Sequence, residues 1–326
     1  MTIKPQPLKS GDEVRVIAPS TSIKIIGADT RQIAKERFEA LGLKVSFGTN
    51  TTDENFDMMA SSSIEKRAQD INDAFADPNV KAIFTIIGGF NSNQLLPFLD
   101  YDTIRNNPKI ICGYSDITAL LNGIYAQTGL TCFYGPHYSS IGMLKGNEYT
   151  LDIMQQVLFN RKAEITASNQ WSDDTWFLDQ ENREFIDNEG WWILHSGNAK
   201  GELSGGNLCT YILLNGTPFQ TKFAKDTILM LEDCHYSLMD DKEFLRNLQA
   251  IAQREDFSNV RALLIGRFQK ESKVSRDKLE FIINSIPQIK NIPVIANMDF
   301  GHTTPIATFP IGGVCEVSED KIKVSW

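Results

Sequence analysis

The stretch "KIICGYSDITALLNGIYAQTG" (109–129) decides the fold. A short continuous apolar run, as expected of a strand buried on both faces, passes through Gly-Tyr-Ser-Asp into an apolar run that reads as a helix. Ser115 sits at that junction, and two readings are open. Ser115 or Asp116 can simply cap the helix. Alternatively, Ser115 is a nucleophile held up at the end of a strand on a tight turn. The backbone N–H groups beyond it then lack helical partners and can stabilise an oxyanion. The motif is not the G-x-S-x-G elbow, because position 117 is Ile.

Working outward, strand and helix patterns alternate. Residues 13–20, 81–89 and 130–135 read as strands, and 31–42 as a helix. "SSSIEKRAQDINDAFAD" places Ile64, Ala68, Ile71 and Phe75 at helical spacing, with Ser62 and Glu65 in a capping-box pattern. Alternating β and α units predict a parallel sheet with helices on both faces. Periodicity fails between about 160 and 190, where the chain is polar and acidic but dotted with aromatics. A second alternating series follows: strands over 226–233, 260–268 and 292–300, and helices over 239–255 and 274–286. Short β segments close the chain. The expected organisation is an N-terminal α/β domain (1–165), a connecting stretch (166–190) and a C-terminal α/β domain (191–326).

Composition excludes several classes. At 326 residues the chain is long enough for two cores. Its 42% hydrophobic and 22% charged residues are the balance of a soluble globular protein. No apolar run approaches the roughly 18–20 residues of a membrane span, and "MTIKPQPLKSGDEV" does not read as a secretory signal. The expectation is a cytoplasmic protein with no membrane partner. A net charge of −9 without a basic cluster argues against nucleic acid. The five cysteines (112, 132, 209, 234, 315) are scattered singly, without a CxxC pair. Neither a disulfide framework nor a zinc site is suggested, and the expected metal and cofactor content is none.

Strand ends are the informative places, because open α/β sheets bind ligands beyond them. "IGGFNSN" (87–93) offers glycines that let a ligand approach the backbone, and Gly89 suits a second oxyanion donor. Glu232 and Asp233 end a strand. Consecutive strand residues face opposite ways, so only one of them can aim at a given site. His137 and His302 each follow a strand, and the residues alone do not choose between them as a general base.

"IGGFNSNQLLPFLDYD" (87–102), "KIICGYSDITALL" (109–121), "YGPHYSS" (134–140), "GELSGGNL" (201–208), "LMLED" (229–233) and "DFGHTTPIATFPIG" (299–312) occur in an order that resembles a known family. This is the serine peptidase family of LD-carboxypeptidases and microcin C self-immunity peptidases, and the microcin-immunity branch is the more similar. The resemblance implies two α/β domains, an N-terminal Rossmann- or flavodoxin-like parallel sheet and a smaller C-terminal mixed domain, with the site between them. It implies Ser115 as nucleophile, His302 as base and Glu232 as the residue orienting it. The N–H groups of Gly89 and Asp116 form the implied oxyanion hole. It also implies a small-molecule or peptide substrate and a homodimer. The microcin-immunity branch cleaves aminoacyl-nucleotide compounds and stacks the base on tryptophan. Trp171 and Trp176, in the connecting stretch, either take that role or pack the stretch onto a domain. Trp191 and Trp192 read as core. The alternatives are hydrolysis of murein tetrapeptide, or a non-catalytic module binding a nucleotide or sugar.

Overall fold

A computed structural model describes residues 2–53, 56–235 and 240–326. The first half carries strands β1 (Glu13–Ile17), β2 (Lys44–Phe47), β3 (Val80–Thr85), β4 (Ile110–Gly113) and β5 (Cys132–Tyr134). Then come β6 (Lys162–Ile165), β7 (Gln170–Trp171), β8 (Ile186–Asp187), β9 (Trp192–His195), β10 (Ala199–Asn207) and β11 (Thr227–Glu232). The chain closes with β12 (Val260–Gly266), β13 (Val294–Met298), β14 (Phe309–Ile311), β15 (Val314–Val317) and β16 (Ile322–Ser325).

The first sheet runs β14-β5-β4-β3-β1-β2, parallel except where β14 joins β5. The order 2-1-3-4-5 is the flavodoxin-like arrangement, with its topological switch between β1 and β3. β3 and β4 are buried almost throughout, as their unbroken apolar runs require. The helix Ile64–Ala76 is capped by Ser63, whose side chain accepts from Lys66 N, and not by Ser62. The Ser62 carbonyl is instead used by Arg67 Nε at 2.8 Å.

The second sheet runs β6-β16-β15-β10-β11-β12-β13-β9. Its centre, β10 to β13, is parallel, and its flanks are antiparallel. Side chains alternate between two cores. Ile228, Met230, Ala262 and Leu264 join the large apolar cluster that also fills the first sheet. Leu229, Leu231, Leu263 and Ile265 face the helices Asp240–Ala252 and Arg276–Ser285. The first of these helices is the one expected over 239–255; Met239 lies outside the described residues.

Two strands cross the division expected from sequence. β6, placed with the first half, pairs with β16 in the second sheet. β14, from the second half, pairs with β5 in the first. The exchanges cover β5 and β16, which would otherwise be edge strands, and leave the short β14 and β6 at the edges. The connecting stretch is likewise anchored, since Ser172 and Thr304 exchange backbone hydrogen bonds of 2.8 and 2.9 Å. No helix among the described residues is long and apolar enough to cross a membrane.

Candidate active site

After β4 the backbone makes an abrupt turn. Tyr114 is extended, and Ser115 adopts φ +58°, the left-handed region that non-glycine residues rarely occupy. Such a residue persists only when its surroundings hold it there. Here Asp116 supplies the anchor. Its Oδ2 accepts from Ser20 Oγ (2.7 Å), Asn91 N (3.1 Å) and Ser92 N (2.9 Å), and Ser92 Oγ donates to its carbonyl at 2.6 Å. Neither Ser115 nor Asp116 caps the helix Thr118–Thr128, which starts without a side-chain cap. The structure therefore does not show the capping role that the sequence left open.

Ser115 Oγ instead lies 2.9 Å from His302 Nε2. His302 Nδ1 is 2.8 Å from Glu232 Oε2. Glu232 ends β11 in register with Met230, on the face turned toward the first sheet, and is fully buried. Asp233 turns away. The helix after Ser115 docks on the end of β10. Asn207 N donates to Thr118 Oγ1 (2.9 Å), and Asn122 Nδ2 donates to the Gly205 carbonyl (2.8 Å). Because Asn207 pairs with Glu232 in the parallel ladder, this docking sets the distance between Ser115 and the Glu232 carboxylate.

Gly88 makes room for the turn. A Cβ there would stand 2.9 Å from Ser115 Cβ and 3.0 Å from Ser115 Oγ. Gly88 thus lies against Ser115, while Gly89 abuts Ser20 and Thr21. Among the described residues no protein acceptor takes the N–H of Gly89 or Asp116.

Burial works against a charged imidazole at His302. The Glu232 carboxylate, through its charge and hydrogen bond, and then the Asp233 charge more than offset this, so the pKa lies above the ordinary histidine value. His137, the other candidate, does not reach Ser115. It is buried, with Nδ1 2.7 Å from Thr85 Oγ1. Burial, followed by the nearby His302, holds it well below the ordinary value and therefore neutral. The Tyr114 ring packs on both imidazoles, with centroids 4.3 Å from His137 and 5.3 Å from His302. Tyr134 is also buried here, and burial and the Glu232 charge keep its phenol protonated. Sequence reading passed over Tyr114 and Tyr134; their only signal was adjacency to the ends of β4 and β5.

The tryptophans diverge. The ring of Trp171 lies under Arg267 (5.1 Å) and Lys270 (5.7 Å). It borders a cavity shared with Asn297 and Trp192, and no triad-forming residue lines that cavity. Trp176 is half-buried and meets Phe177 edge-on. Trp191 and Trp192 are half-buried, not core. They pack against the two apolar clusters, with the Trp191 indole N–H on the buried Asp299 (3.3 Å) and the Trp192 indole N–H on Glu189 (2.7 Å).

A parallel-sheet protein with a Ser–His–Glu hydrogen-bonded chain at its strand ends is built as a serine hydrolase is built. Residues 14–135 match the LD-carboxypeptidase N-terminal domain of peptidase family S66, and residues 200–317 match the corresponding C-terminal domain. The chain belongs to this family and is a serine-type peptidase. It is 49% identical to a Treponema pallidum protein named "Putative carboxypeptidase", over 96% of this chain and 92% of that one. It is 31% identical to the microcin C7 self-immunity protein MccF of Escherichia coli, over 98% and 94%. A crystal structure of an MccF-like protein from Bacillus anthracis matches with a TM-score of 0.95 at 47% identity, covering 99% of each chain. A structure of MccF in complex with aspartyl sulfamoyl adenosine matches at 0.88 and 30% identity, covering 99% of this chain and 98% of that one. These structural neighbours belong to the microcin-immunity branch.

Proposed function

We propose that this peptidase hydrolyses the amide bond of a small aminoacyl-nucleotide, a microcin C-like compound, through Ser115, His302 and Glu232. The observation that carries the reading is the continuous chain from Ser115 Oγ through His302 to the buried Glu232, at 2.9 and 2.8 Å. His302 Nε2 takes the hydroxyl proton as Ser115 Oγ attacks the carbonyl carbon. Glu232 fixes the ring with Nδ1–H toward itself and stabilises the imidazolium. The Gly89 and Asp116 N–H groups, unclaimed by protein acceptors, receive the developing oxyanion. The imidazolium returns its proton to the leaving amine, and water then cleaves the acyl-enzyme with His302 again as base.

The aminoacyl-nucleotide preference is supported by the likeness to MccF, which is solved with aspartyl sulfamoyl adenosine. Of the two tryptophans we propose Trp176, half-buried in the connecting stretch, for the nucleobase, a reading supported by the engagement of Trp171 with Arg267 and Lys270. We further propose a homodimer, as the family resemblance implies, and a cytoplasmic location, as the sequence leads one to expect.

The test is a hydrolysis panel with aminoacyl-sulfamoyl-adenosine and murein tetrapeptide side by side. Faster turnover of the nucleotide supports the reading. Turnover of the tetrapeptide alone replaces it with murein recycling. Failure of an activated-serine probe to label Ser115 overturns the mechanism and leaves a binding module.

A further inference from the structure

The alternation that sends Glu232 toward His302 sends Asp233 the other way, and what it meets there has no part in the mechanism above. In the parallel ladder Asn207 stands opposite Glu232. The residues just beyond the two strand ends are therefore brought side by side. Cys209 follows β10 by two positions, and Asp233 and Cys234 follow β11 directly. Cysteines scattered in the sequence thus converge. The two Sγ atoms and a carboxylate oxygen of Asp233 all lie within 4.8 Å of one another.

We propose that Cys209, Asp233 and Cys234 bind a thiophilic divalent cation of the zinc class, and that its occupancy slows the neighbouring hydrolytic site. The second half of this statement rests on the function proposed above; the first does not.

The geometry is close to what such an ion requires. Tetrahedral zinc holds sulfur at about 2.3 Å and carboxylate oxygen at about 2.0–2.2 Å, so its ligand atoms stand roughly 3.5–4 Å apart. The three donors reach that spacing with side-chain movements of less than about 1 Å. Two thiolates and one carboxylate select zinc-like ions over magnesium or calcium, which prefer all-oxygen sites. Three protein ligands leave a fourth position for water.

The surroundings suit bound thiolates. Asn207 contacts both sulfurs: Cys209 Sγ donates to Asn207 Oδ1 at 2.9 Å, and Asn207 Nδ2 donates to Cys234 Sγ at 3.5 Å. On metal binding each thiol gives up its proton to solvent as its sulfur–metal bond forms. Asn207 Oδ1 does not become orphaned, because Thr210 N (3.2 Å) and Thr210 Oγ1 (2.8 Å) also donate to it. Its Nδ2–H bond to Cys234 becomes charge-assisted. Asp233 and Cys234 are buried, whereas Cys209 is partly exposed and gives the ion a way in. The other three cysteines, Cys112, Cys132 and Cys315, are fully buried and stand outside this cluster.

Inhibition follows from position. The site is one residue from Glu232, whose negative charge supports the imidazolium that forms during attack. A cation there opposes that charge. It also fixes Asn207, the residue through which the nucleophile's helix docks on β10.

The experiment is a cobalt(II) titration of the full chain, reduced with a phosphine, followed by absorption. A thiolate-to-cobalt charge-transfer band that saturates at one equivalent and is displaced by zinc is the expected result. Cys209→Ser and Cys234→Ala should each weaken binding by more than the roughly 10–100-fold that outer-shell changes cost. Asp233→Asn should weaken it while leaving a cobalt–sulfur band. Circular dichroism checks that each variant is folded. Absence of the band in the wild type, or its persistence in both cysteine variants, overturns the site. Zinc should slow hydrolysis in the wild type and a chelator should restore it, while the ratio of zinc-free to zinc-loaded rates falls to near one in Cys209→Ser. An unchanged ratio in that variant overturns the regulatory half. If neither panel substrate is turned over, the function reading fails, and the cobalt result still decides the site.

Discussion

His302 Nε2 stands 2.9 Å from Ser115 Oγ although 187 residues separate them in the chain. Ser115 follows β4 of the first sheet and His302 follows β13 of the second, so this contact depends on how the two sheets dock. Ser115→Ala and His302→Ala should each lower kcat by about 10⁶, and the double variant should be hardly worse, because residues acting as one unit are non-additive. Glu232→Ala should cost less, about 10⁴, since it orients and transfers no proton. Steady-state kinetics on the four proteins checks this; independent, multiplying losses would contradict it.

The pH profile follows from the raised pKa of His302. Glu232, hydrogen-bonded to the ring, and Asp233, acting on it only through its charge, favour the imidazolium, and the neutral His137 and Tyr114 lie beside it. His302 must be neutral to act as a base, so kcat/KM should rise with pH through an acid limb above the ordinary histidine value of 6.5 and then level off. Glu232→Gln removes the charge that raises it, and the limb should move to lower pH. For stability the sign is opposite. A histidine with a raised folded pKa stabilises below its unfolded pKa, and that contribution fades as pH rises through the folded value. A profile with the same acid limb in both proteins would show that His302 is not the titrating base.

Gly88→Ala isolates the turn from the triad. The added methyl would press on Ser115 Cβ and Oγ. Displacing the nucleophile by about 1 Å should cost about a hundredfold in kcat. The melting temperature should change little compared with a core substitution, since Gly88 is not held at positive φ. Kinetics and calorimetry on one preparation separate loss of rate from loss of fold.

Asp116 gives a sharper contrast. All three donors to its side chain use one oxygen, Oδ2. Asp116→Asn can keep an acceptor there, whereas Asp116→Ala leaves the two buried N–H groups of Asn91 and Ser92 unpaired, at about 1–3 kcal/mol each, and leaves Ser20 Oγ only the 3.2 Å bond to Asn91 Oδ1. Alanine should therefore destabilise strongly and asparagine mildly. Equal denaturation midpoints in urea would show that the anchor is unimportant.

The two tryptophans should part company. Trp176→Ala should weaken aminoacyl-nucleotide use by about 1–3 kcal/mol, mainly in KM, and spare a substrate lacking the base. Trp171→Ala removes the ring under Arg267 and Lys270. It should lower the melting temperature and affect both substrates alike. Reversed behaviour would exchange their roles.

The parallel core was legible because β3, β4, β11 and β12 sit in continuous, buried apolar runs. Three edge strands were not. β2 (KVSF) and β6 (KAEI) mix polar or charged residues with apolar ones over only four positions, and β14 (FPI) carries a proline within three, so none shows a strand pattern without its partner. The rule that consecutive strand residues face opposite ways left Glu232 and Asp233 undivided, since nothing in the sequence says which face of β11 meets the first sheet. The docking of Asn207 on Thr118 decides that. The Cys209–Cys234 approach was hidden for a related reason: it depends on the register of two strand ends, not on spacing along the chain.

The exchanged strand β14 has a consequence for how the protein is made. The first sheet has its five parallel strands once residue 134 is available, but the strand that covers β5 begins only at residue 309. At a synthesis rate of about 5–20 residues per second, β5 waits roughly 10–35 seconds for its neighbour. Throughout that interval a nascent chain carries an open strand edge capable of pairing with another nascent chain. Crowded ribosomes are thus a condition under which this fold is exposed to misassembly.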